Sequence, residues 1–182
     1  MILMGLDPSY TRAGITILNT ETKELNFYKL EGRMNKNYDN VWREALDRCK
    51  RLSELVVQYN VDIVFSESPF PNADSSPGLY LLDGMLHYTL YLSKVSKVYV
   101  VHPSYLKAIH QGKYFKSDSI ELGKQLKTLY EKHGYICNKN RIVHDEYESF
   151  IFLTRLFVLL NIDSKLISDI IKLNKAFDTL DK

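Results

Sequence analysis

Residues 2–30 read ILMGLDPSYTRAGITILNTETKELNFYKL, and their pattern decides the fold. Ile2–Asp7 is a short apolar run that ends on an acid, the mark of a buried strand. Pro8 and Ser9 turn the chain. Residues 13–19 (AGITILN) read as a second strand and residues 23–30 (KELNFYKL), rich in β formers, as a third, with a hairpin turn at 20–22 between them. Three strands in succession predict an antiparallel meander.

Outward from this stretch, residues 32–40 are polar and read as a loop, and then the period changes. Val41, Ala45, Arg48/Cys49, Leu52 and Leu55/Val56 recur at helical spacing, which predicts a helix over 41–59. Residues 62–67 (DIVFSE) form another short apolar strand that ends on an acid. The three prolines and the Asn, Asp and Ser of residues 68–77 (SPFPNADSSP) forbid regular structure there. Residues 78–93 are apolar nearly all round a helix, so that helix needs cover on more than one side. Lys97–Val101 is a fifth strand, Pro103 opens a short helix to His110, and a helix from Ser117 or Ser119 runs to about His133, where Gly134 ends it. Residues 145–160 form a strongly apolar helix with acids in its first turn. Residues 163–180 form an amphipathic one, with Ile162, Leu166, Ile170, Leu173 and Phe177 on one side. Alternation that begins after a meander predicts an α/β fold, a mixed five-stranded sheet with helices on its faces.

At 182 residues and 45% hydrophobic content the chain is long enough to bury about 70% of its extended surface without a disulfide or metal staple. Cys49 and Cys137 are too few and too far apart for a framework and are expected as plain thiols. No apolar run reaches the length of a membrane span, and the opening MILMGLDPSY has no basic start, so neither a membrane segment nor a signal peptide is expected. The histidines show no zinc spacing, and no glycine-rich loop resembles a phosphate-binding fingerprint.

The acids carry the chemistry. Asp7 and Glu67 each stand at the C-terminal end of a strand, and Asp145 and Glu148, three apart, share one face at the start of a helix. Were the first and fourth strands adjacent and parallel, both strand acids would emerge at one sheet edge, where ligands of such sheets bind. Taken singly, each acid is more often an ordinary turn, strand-end or helix-start residue than a functional one. Taken together, four converging carboxylates call for a hard divalent cation such as Mg²⁺. Two such ions could activate a water and stabilise the leaving oxygen of a phosphodiester. The net charge of +2, from 24 basic and 22 acidic residues, is too balanced to indicate nucleic acid by itself. Its distribution is more telling. Residues 105–141 hold Lys107, Lys113, Lys116, Lys124, Lys127, Lys132, Lys139 and Arg141 against only Asp118, Glu121 and Glu131, with Tyr105, Tyr114, Phe115 and Tyr130 interleaved. Such a stretch suits a phosphate backbone beside unstacked bases, or is a solvated lysine face.

Four segments in order resemble the motifs of the RuvC family of Holliday junction resolvases: residues 4–18 (MGLDPSYTRAGITIL), 63–75 (IVFSESPFPNADS), 98–107 (VYVVHPSYLK) with Lys116-Ser117, and 145–149 (DEYES). The resemblance runs from about residue 2 to 160. It implies a ribonuclease H-like fold over residues 1–160, and metal ligands at Asp7, Glu67, Asp145 and Glu148. Asp7 would be shared by two Mg²⁺ ions, with Mn²⁺ as a substitute. It further implies that Phe70 wedges into an opened junction, and that Lys107 and Lys116 contact phosphates and act in catalysis, with Lys113 in the same DNA-binding stretch. The implied protein is a homodimer that pairs through the helix after residue 77, with Leu79, Leu82, Leu86 and Leu90 as its seam, and cuts four-way DNA symmetrically. Glu148 departs from the family pattern, where Asp is usual, and His144 precedes Asp145 in a motif where some relatives use His. Residues 161–182 lie beyond the resemblance and are expected to pack as a helix on the domain or on the dimer partner.

The expected activity is therefore a structure-selective endonuclease of DNA recombination and repair, in the cytoplasm of a bacterial cell and encoded by the bacterium or by a phage, without membrane association. The alternatives are a less selective branched-DNA, flap or RNA–DNA hybrid nuclease of the same fold, and a junction-binding protein without catalysis.

Overall fold

The computed structural model describes residues 1–9, 12–31, 38–68, 77–101 and 116–180, with side chains for all of these except 38–41, 77, 116–119 and 174–180. The elements run β1 (Ile2–Asp7), β2 (Arg12–Asn19), β3 (Glu24–Glu31), α1 (Tyr38–Tyr59), β4 (Ile63–Glu67), α2 (Pro77–Leu92), β5 (Lys97–Val101), α3 (Lys116–Lys132), β6 (Ile136–Cys137), α4 (His144–Leu159) and α5 (Ser164–Leu180). The strands form one mixed sheet in the order β5-β4-β1-β2-β3-β6. The short helix expected from Pro103 to His110 lies outside the described residues.

The meander is present. β1 and β2, then β2 and β3, pair antiparallel, with Ile2 opposite Asn19 and Arg12 opposite Glu31. The hairpin between β2 and β3 closes because the Asn19 side chain accepts from the Glu21 and Thr22 backbone N–H groups, at 2.9 and 3.2 Å, while Lys23 takes a left-handed φ of 59°. β4 and β5 then join parallel on the other side of β1.

The sheet has six strands rather than five. The addition is β6, where Ile136 N donates to Lys23 O at 2.8 Å and Asn138 N to Leu25 O at 3.0 Å. Two residues cannot display an alternating pattern, so nothing in the sequence marks this strand.

Period-2 alternation sends each strand into two cores. On one face Met4, Leu6, Ile15, Ile17 and Val64 meet Ala45, Leu52 and Val56 of α1 and Leu82, Leu86 and Leu90 of α2. On the other, Leu3, Leu18, Phe27 and Phe65 meet Tyr130 of α3, Phe150, Leu153 and Phe157 of α4, and Leu166 and Ile170 of α5. This corrects the expectation of a leucine seam between subunits. Leu82, Leu86 and Leu90 are fully buried in their own chain, and the outward side of α2 presents Tyr80, Tyr88, Tyr91 and Leu92 instead. No helix among the described residues is long and apolar enough to cross a membrane.

Candidate metal centre

Strand register assembles the site. β1 and β4 are parallel with Leu6 beside Ser66, so the next residues, Asp7 and Glu67, stand side by side. Asp7 pairs with Gly14 of β2 on its other side. Alternation puts Glu67, Asp7 and Gly14 on the face that carries α4, because Phe65 and Leu3, two and four residues back, belong to that core.

The start of α4 rests directly on this row. A Cβ on Gly14 would lie 1.9 Å from the Asp145 carbonyl oxygen, and one on Gly5 would lie 2.0 Å from that of Ser149. Only glycine lets the helix backbone come so near β1 and β2. Buried polar contacts hold its register. Thr16 Oγ1 lies 2.8 Å from Ser149 Oγ, and Ser149 Oγ donates to the Glu146 carbonyl at 2.8 Å. The Glu146 carboxylate is fully buried, accepts from the Val143 backbone N–H at 2.9 Å and pairs with Lys139. With the helix seated so, Asp145 and Glu148 come down beside Asp7, and both act on it electrostatically together with Glu67.

Asp7 is 4% exposed, and its Oδ2 has no hydrogen-bond partner among the described residues. Burial, and then the charges of Glu148, Glu67 and Asp145, push its carboxyl well above the ordinary range. Its closeness to the Glu148 carboxyl adds to that upward push. His144 joins the same group. Its Nδ1 is 3.7 Å from Asp145 Oδ1 and its Nε2 is 3.4 Å from Glu148 Oε1. Ligand atoms of His144, Asp145 and Glu148 all lie within 4.8 Å of one another. An unpartnered buried carboxylate oxygen among three further acids is chemistry that a hard divalent cation fits.

Four of the expected site residues, Asp7, Glu67, Asp145 and Glu148, are thus brought together. Tyr147 points elsewhere, its ring packed against Gly123 of α3, so the motif's acids and not its tyrosine meet β1. Phe70, Lys107 and Lys113 lie outside the described residues. Lys116 opens α3, but its side chain is likewise outside them.

Two residues escaped the sequence reading. Glu146 looks like any acid in a first helical turn, and its burial becomes visible only in three dimensions. Arg48, 1% exposed, sits on the apolar stripe of α1 and donates through Nη1 to the Ser9 carbonyl at 2.9 Å, holding the turn that leaves Asp7. A charged residue within an apolar stripe was the available clue.

No family model matches the sequence, and no curated protein matches it. Solved structures do. The chain superposes on Thermus thermophilus RuvC in complex with a Holliday junction substrate with a TM-score of 0.63 at 14% identity, covering 87% of this chain and 94% of that one. The fold is that of RuvC. A second Thermus thermophilus RuvC structure gives a TM-score of 0.62 at 16% identity, covering 87% of this chain and 95% of that one. At such identity the likeness to RuvC is one of fold, and the chemistry rests on the side chains described above.

Proposed function

We propose that this chain is a divalent-metal-dependent endonuclease that resolves four-way DNA junctions. The observation that carries the reading is the buried, unpartnered oxygen of Asp7 at the sheet edge, ringed by Glu67, Asp145 and Glu148 in a RuvC fold. These four side chains would hold the cation, and His144 stands at its border. Bound Mg²⁺ or Mn²⁺ would supply Lewis acidity toward a phosphodiester and an acidified water. The protein's part is positioning. Register fixes Asp7 beside Glu67, the glycine seat fixes α4, and Arg48 holds the turn after Asp7.

The cationic stretch that includes Lys107, Lys113 and Lys116 would bind backbone phosphates, and Phe70, between two prolines, would stack on unpaired bases. Residues 1–160 would form the nuclease unit and residues 161–182 a stabilising helix. Pairing of two chains through the outer side of α2 is supported by exposed Tyr88 and Tyr91, whose rings stack with centroids 6.5 Å apart beside exposed Leu92.

The test is incubation of the chain with synthetic four-way, three-way, flap and RNA–DNA hybrid substrates, with Mg²⁺ and with EDTA. Paired cuts in the four-way junction that require metal are expected. Equal cutting of every substrate would make it a general branched-DNA nuclease, and no cutting of any would make it a binding protein.

A further inference from the structure

A cleft of about 470 Å³ adjoins the acids, bounded by the first turns of α3, by residues 140–143 and by the first turn of α4. Its floor is apolar, made by Ile120, Ile142, Val143 and the ring of Tyr147, with Ile142 and Tyr147 buried. Its rim carries Lys124 and Arg141, both exposed. Its wall on the side of the acids is His144, which also touches Asp145 and Glu148, so the cleft and the candidate metal centre share a side chain.

The rim cations are not engaged by carboxylates of the chain's own described residues. Lys29, Lys127, Lys139 and Lys172 each pair with a carboxylate, whereas Lys124 and Arg141 make no ion pair among the described residues. The segment that presents Arg141 is anchored on both sides. Before it, Asn138 N donates to Leu25 O, the Asn138 carboxamide oxygen accepts from Phe27 N at 3.2 Å and its Nδ2 donates to Asn26 Oδ1 at 2.6 Å. Lys139 is held by Glu146, and after Arg141 the Ile142 side chain is buried and Val143 N is bonded to Glu146. The backbone that carries Arg141 is thus ordered before a ligand arrives, which lowers the ordering cost of binding.

We propose that this cleft seats the DNA strand next to the cut, with Lys124 and Arg141 each on a backbone phosphate within one or two nucleotides of the scissile one and the sugar or base against the apolar floor. The inference rests on the nuclease reading above for its choice of ligand. Charge complementarity favours a polyanion at the rim, and the shared wall makes the strand continuous with the acids.

The experiment measures binding of a four-way junction in EDTA across a salt series for wild type, Arg141→Gln, Lys124→Gln and the double variant. Lys165→Gln serves as control, an exposed lysine at the start of α5, beyond the far end of α4 from the acids. Each single substitution in the cleft should reduce the slope of log affinity against log salt by about 1, and the double by about 2, with affinity at moderate salt down about tenfold or more. Lys165→Gln should change neither. An unchanged slope in the double variant, or an equal loss from Lys165→Gln, would overturn the proposal. The two readings fail separately. Junction binding that depends on Lys124 and Arg141 without metal-dependent cutting overturns the nuclease, and metal-dependent cutting with an unchanged slope overturns the cleft.

Discussion

The end of β1 and the first turn of α4 each bury a carboxylate, and the two are treated in opposite ways. Glu146 has a lysine on one oxygen and a backbone N–H on the other. Asp7, a few residues away in space across the Gly14 contact, has an oxygen with no partner among the described residues and three acids around it. Leaving a buried group unsatisfied costs about 1–3 kcal/mol, more for a charge, so folding alone gives no reason to keep Asp7. A buried acid whose valences are filled holds structure together. One whose valences are open waits for something else.

The largest effect that sharpens this contrast is on chemistry. Asp7→Asn should lower junction cleavage by about 10²–10³-fold, judged by what loss of a single charge-stabilising group costs in other active sites. At neutral pH the same substitution should raise the melting temperature of the metal-free protein, because it removes a carboxyl whose ionisation burial and three neighbouring acids oppose. Cleavage at the wild-type rate, or a lowered melting temperature, would break the comparison.

Glu146→Ala should do the reverse in stability, costing about 2–3 kcal/mol in urea unfolding because it removes the charged partner of Lys139 and of the Val143 N–H. Loss of cleavage should accompany it only as far as α4 shifts. Gly14→Ala comes next. A methyl 1.9 Å from the Asp145 carbonyl must lift the helix from β2, at about 1–3 kcal/mol, and separate Asp145 and Glu148 from Asp7. Metal affinity should fall with it, measurable by Mn²⁺ titration.

Part of this was legible from sequence. Strand-end acids and a three-residue spacing on a helix are local patterns, and Asp7, Glu67, Asp145 and Glu148 obey them. The meander was legible too, from three β-rich runs with a short turn between the second and third. What makes the site work is nonlocal. Gly5 and Gly14 are unremarkable in a strand until a helix lies on them. Glu146 is one of three acids within four residues, and only the path of residues 139–143 separates it from its neighbours. Leu82, Leu86 and Leu90 fall in the core rather than in a dimer seam for a related reason: a helix apolar all round must be covered, but its composition does not say which side the sheet covers.

The smallest effect is on pH. The folded-state pKa of Asp7 is raised above its unfolded value of about 3.9, so the folded protein holds the proton more tightly. That contribution is fully present below the unfolded value and is lost as pH rises through the raised one. In metal-free protein the melting temperature should therefore fall across that interval as pH rises, and Asp7→Asn should flatten the fall. Parallel curves for the two proteins would mean that Asp7 is not the titrating group.

The central claim is that the open valence of Asp7 belongs to a divalent cation. Calorimetric titration of Mn²⁺ into metal-free wild type and Asp7→Asn tests it most directly. Saturable uptake by the wild type, lost or weakened at least tenfold in Asp7→Asn, is the predicted result. A wild-type chain that takes up no Mn²⁺, or an Asp7→Asn chain that binds it equally well, would contradict the account.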